Sequence, residues 1–195
     1  MSTIKVQNIQ HTGSSTNAIA LASDGTCTAN ITNNLSNRNL IINGAMQVAQ
    51  RGTSSTDANG FFTVDRIKIQ YGGTDENLTQ AQADVASGTT PYTSGFRKAY
   101  KITNGNQTGG AGAADFIQIK YFIEAQDIAN SGWNYTDSNS KITLQFWVKS
   151  SVAQDFPVEL ISDDGTAQSF TFMTGSLTAD TWTKVTKTIS GNSNL

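Results

Sequence analysis

Hydrolysis of a glycosidic bond needs two carboxyl groups facing each other across a cleft. Two acidic groupings deserve that test: Glu124 with Asp127, and Glu159 with Asp163 or Asp164. Glu159 alternates with the apolar Val158 and Leu160, which places it on the outer face of a strand. All five read as solvated surface acids. His11 is the single histidine and stands in a polar stretch with no serine or cysteine nucleophile context. Cys27 is the single cysteine, so the chain forms no internal disulfide and has too few thiols for a zinc site. It reads as a small half-buried side chain. Asp163-Asp164-Gly165 has oxygen ligands of the kind calcium takes, but it reads better as a hairpin turn. No catalytic residue, cofactor or metal ligand is assigned, and an enzyme is not expected.

Binding chemistry has better candidates. Sugars stack on flat aromatic rings while Asn, Gln and Asp bond their hydroxyls. Trp133 and Tyr135 lie in a polar loop, and Tyr92 follows Pro91 in another. Trp147 faces away from the Ile142, Leu144 and Phe146 row of its strand. It is either a second buried layer, an interface anchor or a glycan platform, and the interface is preferred because aromatics are enriched at interface cores. The cations Arg51, Arg66, Arg97 and Lys98 are scattered and read as solvated or as interface ion pairs.

The elements that must hold these groups are strands. The 195 residues suit one ordinary domain with an appendage. Thirteen Lys and Arg stand against fifteen Asp and Glu, so there is no basic field for nucleic acid and no polybasic membrane anchor. Charged residues make up 14% of the chain, against about 25% in an average soluble domain. Small polar residues and glycine replace them, and these favour turns and loops over helices. The N-terminus has no signal-peptide core, and no apolar run nears the ~18 residues of a membrane span.

Residues 1–37 form a polar lead-in. Ile4 and Val6 alternate with polar neighbours, 18–22 and 26–31 suggest a hairpin about Asp24-Gly25, and the apolar content is too small for a core. Ile4, Val6, Ile9, Ile19 and Leu21 are therefore expected to pack on a sister chain or a docking partner. Residues 38–195 carry the body. It opens with the Leu40–Ile42 run and the turn dipeptide Asn43-Gly44. Strand patterns follow at 61–71 (with a phase slip at Asp65-Arg66 that suggests a bulge), 96–102, 115–124, 141–149, 156–162, 168–173 and 182–189. Residues 77–85 fit either a helix or a strand, 87–95 a loop, 104–114 a flexible glycine-rich loop and 125–130 one helical turn. Short strands, turn residues and almost no helical period point to an all-β jelly roll or sandwich, with a β-barrel as the competing class.

Taken in this order, NLIINGAMQVAQRGTS, FFTVDRIKI, FIQIKYFIEAQDIA, KITLQFWVKSS and the strand at 182–189 resemble a domain that recurs in bacteriophage tail fibres and other virion structural proteins. The opening STIKVQNIQHTGSSTNAIALASDGT is similar to the N-terminal leader of many such proteins, notably in phages of marine cyanobacteria. The resemblance implies a jelly-roll domain, often likened to carbohydrate-binding modules, in a homotrimeric fibre of the virion. Its N-terminal segment would hold the fibre to other tail proteins such as an adaptor or nozzle, and the β-domain would serve host attachment. The alternative is a carbohydrate-binding module that recognises a host surface glycan through Tyr92, Trp133 and Tyr135. The chain departs from the family pattern at Ala45, where an acidic or polar residue is usual. The family domain also runs through further strands beyond the one ending here at Ile189, so the domain is expected to be incomplete at its C-terminal end.

Overall fold

The computed structural model describes residues 5–29, 39–56, 59–105, 108–162 and 166–192. It is all-β and antiparallel, with two short helices, and divides into two units, 1–38 and 39–195. Among the described residues no helix is long and apolar enough to cross a membrane.

The first unit is a three-stranded ribbon of β1 (Asn8–Ile9), β2 (Ile19–Leu21) and β3 (Cys27–Ala29). Asp24 turns the chain between β2 and β3: its Oδ1 accepts the Thr26 amide at 2.9 Å, and Gly25 takes φ +86°. The expected strand at Ile4–Val6 is displaced. Val6 lies before β1, and Ile4 lies outside the described residues. Cys27 is exposed rather than half-buried, because a ribbon this thin has no interior to cover it.

The second unit opens with the loop that follows Asn39. Asn43 has φ +59° and Met46 φ +57°, left-handed conformations that Asn tolerates best among residues with a side chain. The Asn43 side chain holds the loop closed. Its Nδ2 donates to the carbonyls of Val48 (2.9 Å) and Asp65 (3.0 Å), and its Oδ1 accepts the Val48 amide (3.0 Å). Asp65 answers from the other side: its amide donates to Val48 O, and its Oδ1 accepts the Gln50 amide at 2.9 Å. This closure breaks the strand expected over 61–71. Residues 65 and 66 form a turn, Arg66 takes φ +73°, and the phase slip is this turn rather than a bulge. The strand itself, β5 (Ile67–Gly72), starts after it and pairs with β8 (Phe116–Tyr121), Ile69 opposite Ile119.

A second sheet joins β4 (Ser54–Ser55), β6 (Thr79–Asp84) and β7 (Lys98–Thr103). The ambiguous 77–85 stretch is therefore a strand. Its even-numbered row is buried at Leu78 and Gln80, the periodicity of two that a sheet imposes. The 87–95 loop contains one helical turn, α1 (Thr90–Thr93), with the buried Pro91 near its start, where a missing N–H costs nothing. Gln80 is 0% exposed. Its Oε1 accepts hydroxyls from Tyr100 (3.0 Å) and Thr63 (3.3 Å), which ties this sheet to the chain just ahead of β5. The opening loop docks on the same sheet: Gln82 Nε2 donates to Met46 O at 2.6 Å, and Met46 Sδ accepts the Tyr100 amide.

The remaining pairs are β9 (Lys141–Val148) with β12 (Thr183–Ser190) and β10 (Pro157–Ser162) with β11 (Gln168–Met173). The helix α2 (Ala125–Ser131) precedes β9. In β12 the inward row is Thr183, Val185, Lys187 and Ile189, and the outward row is exposed. Its inner face meets that of β11, since the Lys187 ammonium lies 5.9 and 5.6 Å from the ring centres of Phe170 and Phe172.

Two measurements test this framework. Asn43→Ala removes both donors and the acceptor that close the opening loop and should cost about 2 kcal/mol in urea unfolding. Tyr100 gives the second. Burial pushes its phenol up to about 12. Folding thus favours the protonated form, and this stabilisation is complete below the unfolded value of about 10. It disappears as pH rises through 12. The urea midpoint should fall over that window more steeply in the native chain than in Tyr100→Phe.

Candidate functional site

Glu124 and Asp127 sit at the start of α2, and Arg66 reaches both. Its Nη1 bonds Glu124 Oε1, and its Nη2 lies 4.0 Å from Asp127 Oδ2. The Arg66 hydrogen bond, helped by its charge, holds the Glu124 carboxyl below the usual carboxylate range. A general acid needs the opposite shift. The acids read from sequence as solvated, and Arg66 as solvated or in an interface ion pair; they form a network within the chain because the turn before β5 aims Arg66 at the helix start. Lys98 likewise pairs with its cross-strand neighbour Asp84 at 2.6 Å. Glu159 is exposed on the outer row of β10, while Asp163, Asp164 and Gly165 lie outside the described residues. His11 Nδ1 accepts the Gly13 amide within its own loop. Among the described residues no group of three His, Cys, Asp or Glu side chains is placed to hold a metal.

The aromatic candidates separate. The Arg97 guanidinium covers Tyr92 at 3.8 Å from the ring centre, and its Nη1 donates to Tyr92 O at 2.8 Å. One face of that ring is therefore occupied. Trp147 is half-buried on β9, opposite Lys184. Trp133 and Tyr135 do meet, ring centres 6.2 Å apart at 63°. That edge-on pairing covers part of each ring rather than laying out one flat platform. Trp133 is half-buried and its Nε1 has no partner, whereas Tyr135 is exposed.

The loop carrying this pair is fixed at both ends. Gly132 ends α2 in the left-handed conformation (φ +75°), and Ser131 Oγ accepts the Trp133 amide at 3.1 Å. At the far end the chain leaving β12 crosses it: the Asn192 amide donates to Tyr135 O at 2.7 Å, and the Gly191 amide to Ser140 O at 2.8 Å. A Cβ on Gly191 would lie 2.4 Å from Asp137 O and 2.7 Å from Tyr135 O, so only glycine passes there.

Beside this crossing opens a cleft of about 490 Å³, lined by Gln168, Phe170, Lys187, Ile189 and Asn192 among others. Sequence reasoning passed over it. A signal was present, since Lys187 falls on the inward row between Val185 and Ile189. Inward charges on edge strands also act as guards against edge-to-edge pairing, which gives the lysine a purely structural reading.

In the first unit Val6, Ile9 and Leu21 are exposed and Ile19 is half-buried. None of residues 5–27 is buried. Scans of protein-family models, curated proteins and solved structures find no match to this chain.

Lys187→Met keeps the length of the side chain and removes the ammonium from between two phenyl rings. It should raise stability by about 1 kcal/mol in urea unfolding. Gly191→Ala should release the Trp133–Tyr135 loop, seen as faster amide exchange at Asn192.

Proposed function

We propose that this chain is a structural protein of a bacteriophage tail fibre: its first unit attaches to other tail proteins, and its β-domain forms the rigid start of the fibre used in host adsorption. The observation that carries this reading is that the described residues of the first unit form no interior. Its apolar side chains Val6, Ile9 and Leu21 stand exposed on a ribbon in which no residue from 5 to 27 is buried. A ribbon of that kind is marginal by itself in water and gains order by laying its apolar side chains on another surface. The resemblance of the leader and of the body motifs to tail-fibre proteins agrees with it. On the same resemblance the β-domain is a jelly roll and the assembly a homotrimer, located in the virion tail.

The glycan-binding reading has less behind it. Tyr92 is stacked by Arg97, Trp133 is half-buried, and only Tyr135 offers open ring surface among the three.

The attachment role is tested by deleting residues 1–38. The β-domain should keep its circular dichroism and urea midpoint but be missing from assembled tails. Ile9→Asp with Leu21→Asp should give the same loss in the full-length chain. Normal incorporation of either variant into virions would refute the role.

A further inference from the structure

The β5–β8 pair ends in an edge that, among the described residues, has no partner strand. Ile69 exchanges both backbone bonds with Gly60, at 3.0 and 3.2 Å, and Tyr71 exchanges both of its own with the Asn59 side chain, at 2.6 and 3.1 Å. The amides and carbonyls of these residues therefore point away from β8. In an antiparallel ladder the backbone direction alternates, so Lys68, Gln70 and Gly72 bond to Lys120, Gln118 and Phe116. It follows that Ile117, Ile119 and Tyr121 aim their amides and carbonyls outward. Among the described residues none of these backbone groups has a backbone partner.

The side chains tell the same story. Ile69 and Ile119 are cross-strand partners on one face, yet Ile69 is 1% exposed and Ile119 58%. Ile117 on the same row is 43% exposed. The cover over the core thus stops at β5, and the apolar row runs on into open solvent. Apart from Trp147, the outward rows of β9 and β12 are Lys, Thr, Gln and Ser instead, the usual protection of a free edge. β8 has one such guard, Lys120, and it stands directly opposite Lys68. Like charges at that spacing repel. Among the described residues neither lysine has a carboxylate within 4.0 Å.

We propose that the β8 edge is a docking site for an extended segment in which apolar and acidic side chains alternate, added antiparallel as a further strand of this sheet. The incoming backbone bonds to Ile117, Ile119 and Tyr121. Its apolar side chains cover Ile117 and Ile119, and an acidic side chain falls beside Lys120 and relieves the Lys68–Lys120 repulsion. Charge decides between occupants. A second copy of β8 places Phe116, Gln118 or another Lys120 beside Lys120, according to register, and never an acid. This site is independent of the attachment role of the first unit, and either can fail alone.

The test uses the full chain and two synthetic octapeptides, one alternating valine with glutamate and the other valine with lysine. Amide exchange followed by NMR should slow at Ile117, Ile119 and Tyr121 with the glutamate peptide and hardly change with the lysine peptide. Lys120→Glu should weaken the glutamate peptide by about tenfold and reverse the preference. Ile119→Lys, at an exposed position that leaves the fold intact by circular dichroism, should abolish binding. The proposal is overturned if neither peptide protects these amides, or if both do so equally. It is also overturned if light scattering finds the chain self-associated through this edge and monomeric as Ile119→Lys, since the occupant is then a second copy.

Discussion

The body of this protein depends on one side-chain amide. Asn43 bonds to Val48 twice and to Asp65 once, and Asp65 returns two bonds to the same loop. A segment with two left-handed residues three positions apart would otherwise have several conformations to choose from. Clipped in this way it has one, and Met46 is delivered to the face of the β6–β7 sheet. The same clip sets where β5 begins, because Asp65 is held in the turn. Where β5 begins sets its register with β8, and a slip of one residue would turn Ile67 and Ile69 out of the core.

Polar groups also specify the interior. Gln80 is fully buried and its oxygen gathers the hydroxyls of Thr63 and Tyr100, while its Nε2 has no partner. An apolar residue there would pack without that debt. The amide instead demands one arrangement of two separate segments, since displacing either hydroxyl strands a buried acceptor. The cost and the specificity have the same source. The charged groups follow a similar logic outside the core: Arg66 gathers Glu124 and Asp127, and Arg97 lies on Tyr92, so groups that look scattered along the chain are neighbours in space.

The functional consequences come from what the fold leaves uncovered. Among its described residues the first unit has exposed apolar side chains and no interior. The second has a well-buried core at Val64, Ile69 and Leu78 that ends against an open edge at Ile117 and Ile119. Both are apolar surfaces that the described chain leaves uncovered, and both proposals rest on them. The aromatic residues, which looked like the binding chemistry, are mostly engaged in holding loops: Tyr92 by Arg97, and Trp133 by its edge-on contact with Tyr135.

Much of this was legible in the order of residues. Alternation over 141–149, 156–162 and 168–173 marked β9, β10 and β11, and Asp24-Gly25 marked the hairpin of the first unit, because strand faces and tight turns are local properties. The poverty of apolar residues before Asn39 likewise announced a unit without a core. The 61–71 stretch misled, because its strand pattern was overridden by a turn whose bonds come from Asn43, twenty-two positions away from Asp65. Burial along β8 was hidden too. Ile117 and Ile119 look the same in sequence as Ile67 and Ile69, and what makes the first pair open and the second closed is that, among the described residues, no further strand lies beyond β8. Sequence by itself determined which segments become strands and which face of each is apolar, since both follow from neighbours along the chain. Which of those faces is covered, which charges meet and which edge stays unpaired were decided by tertiary structure, because each depends on groups that only folding brings together.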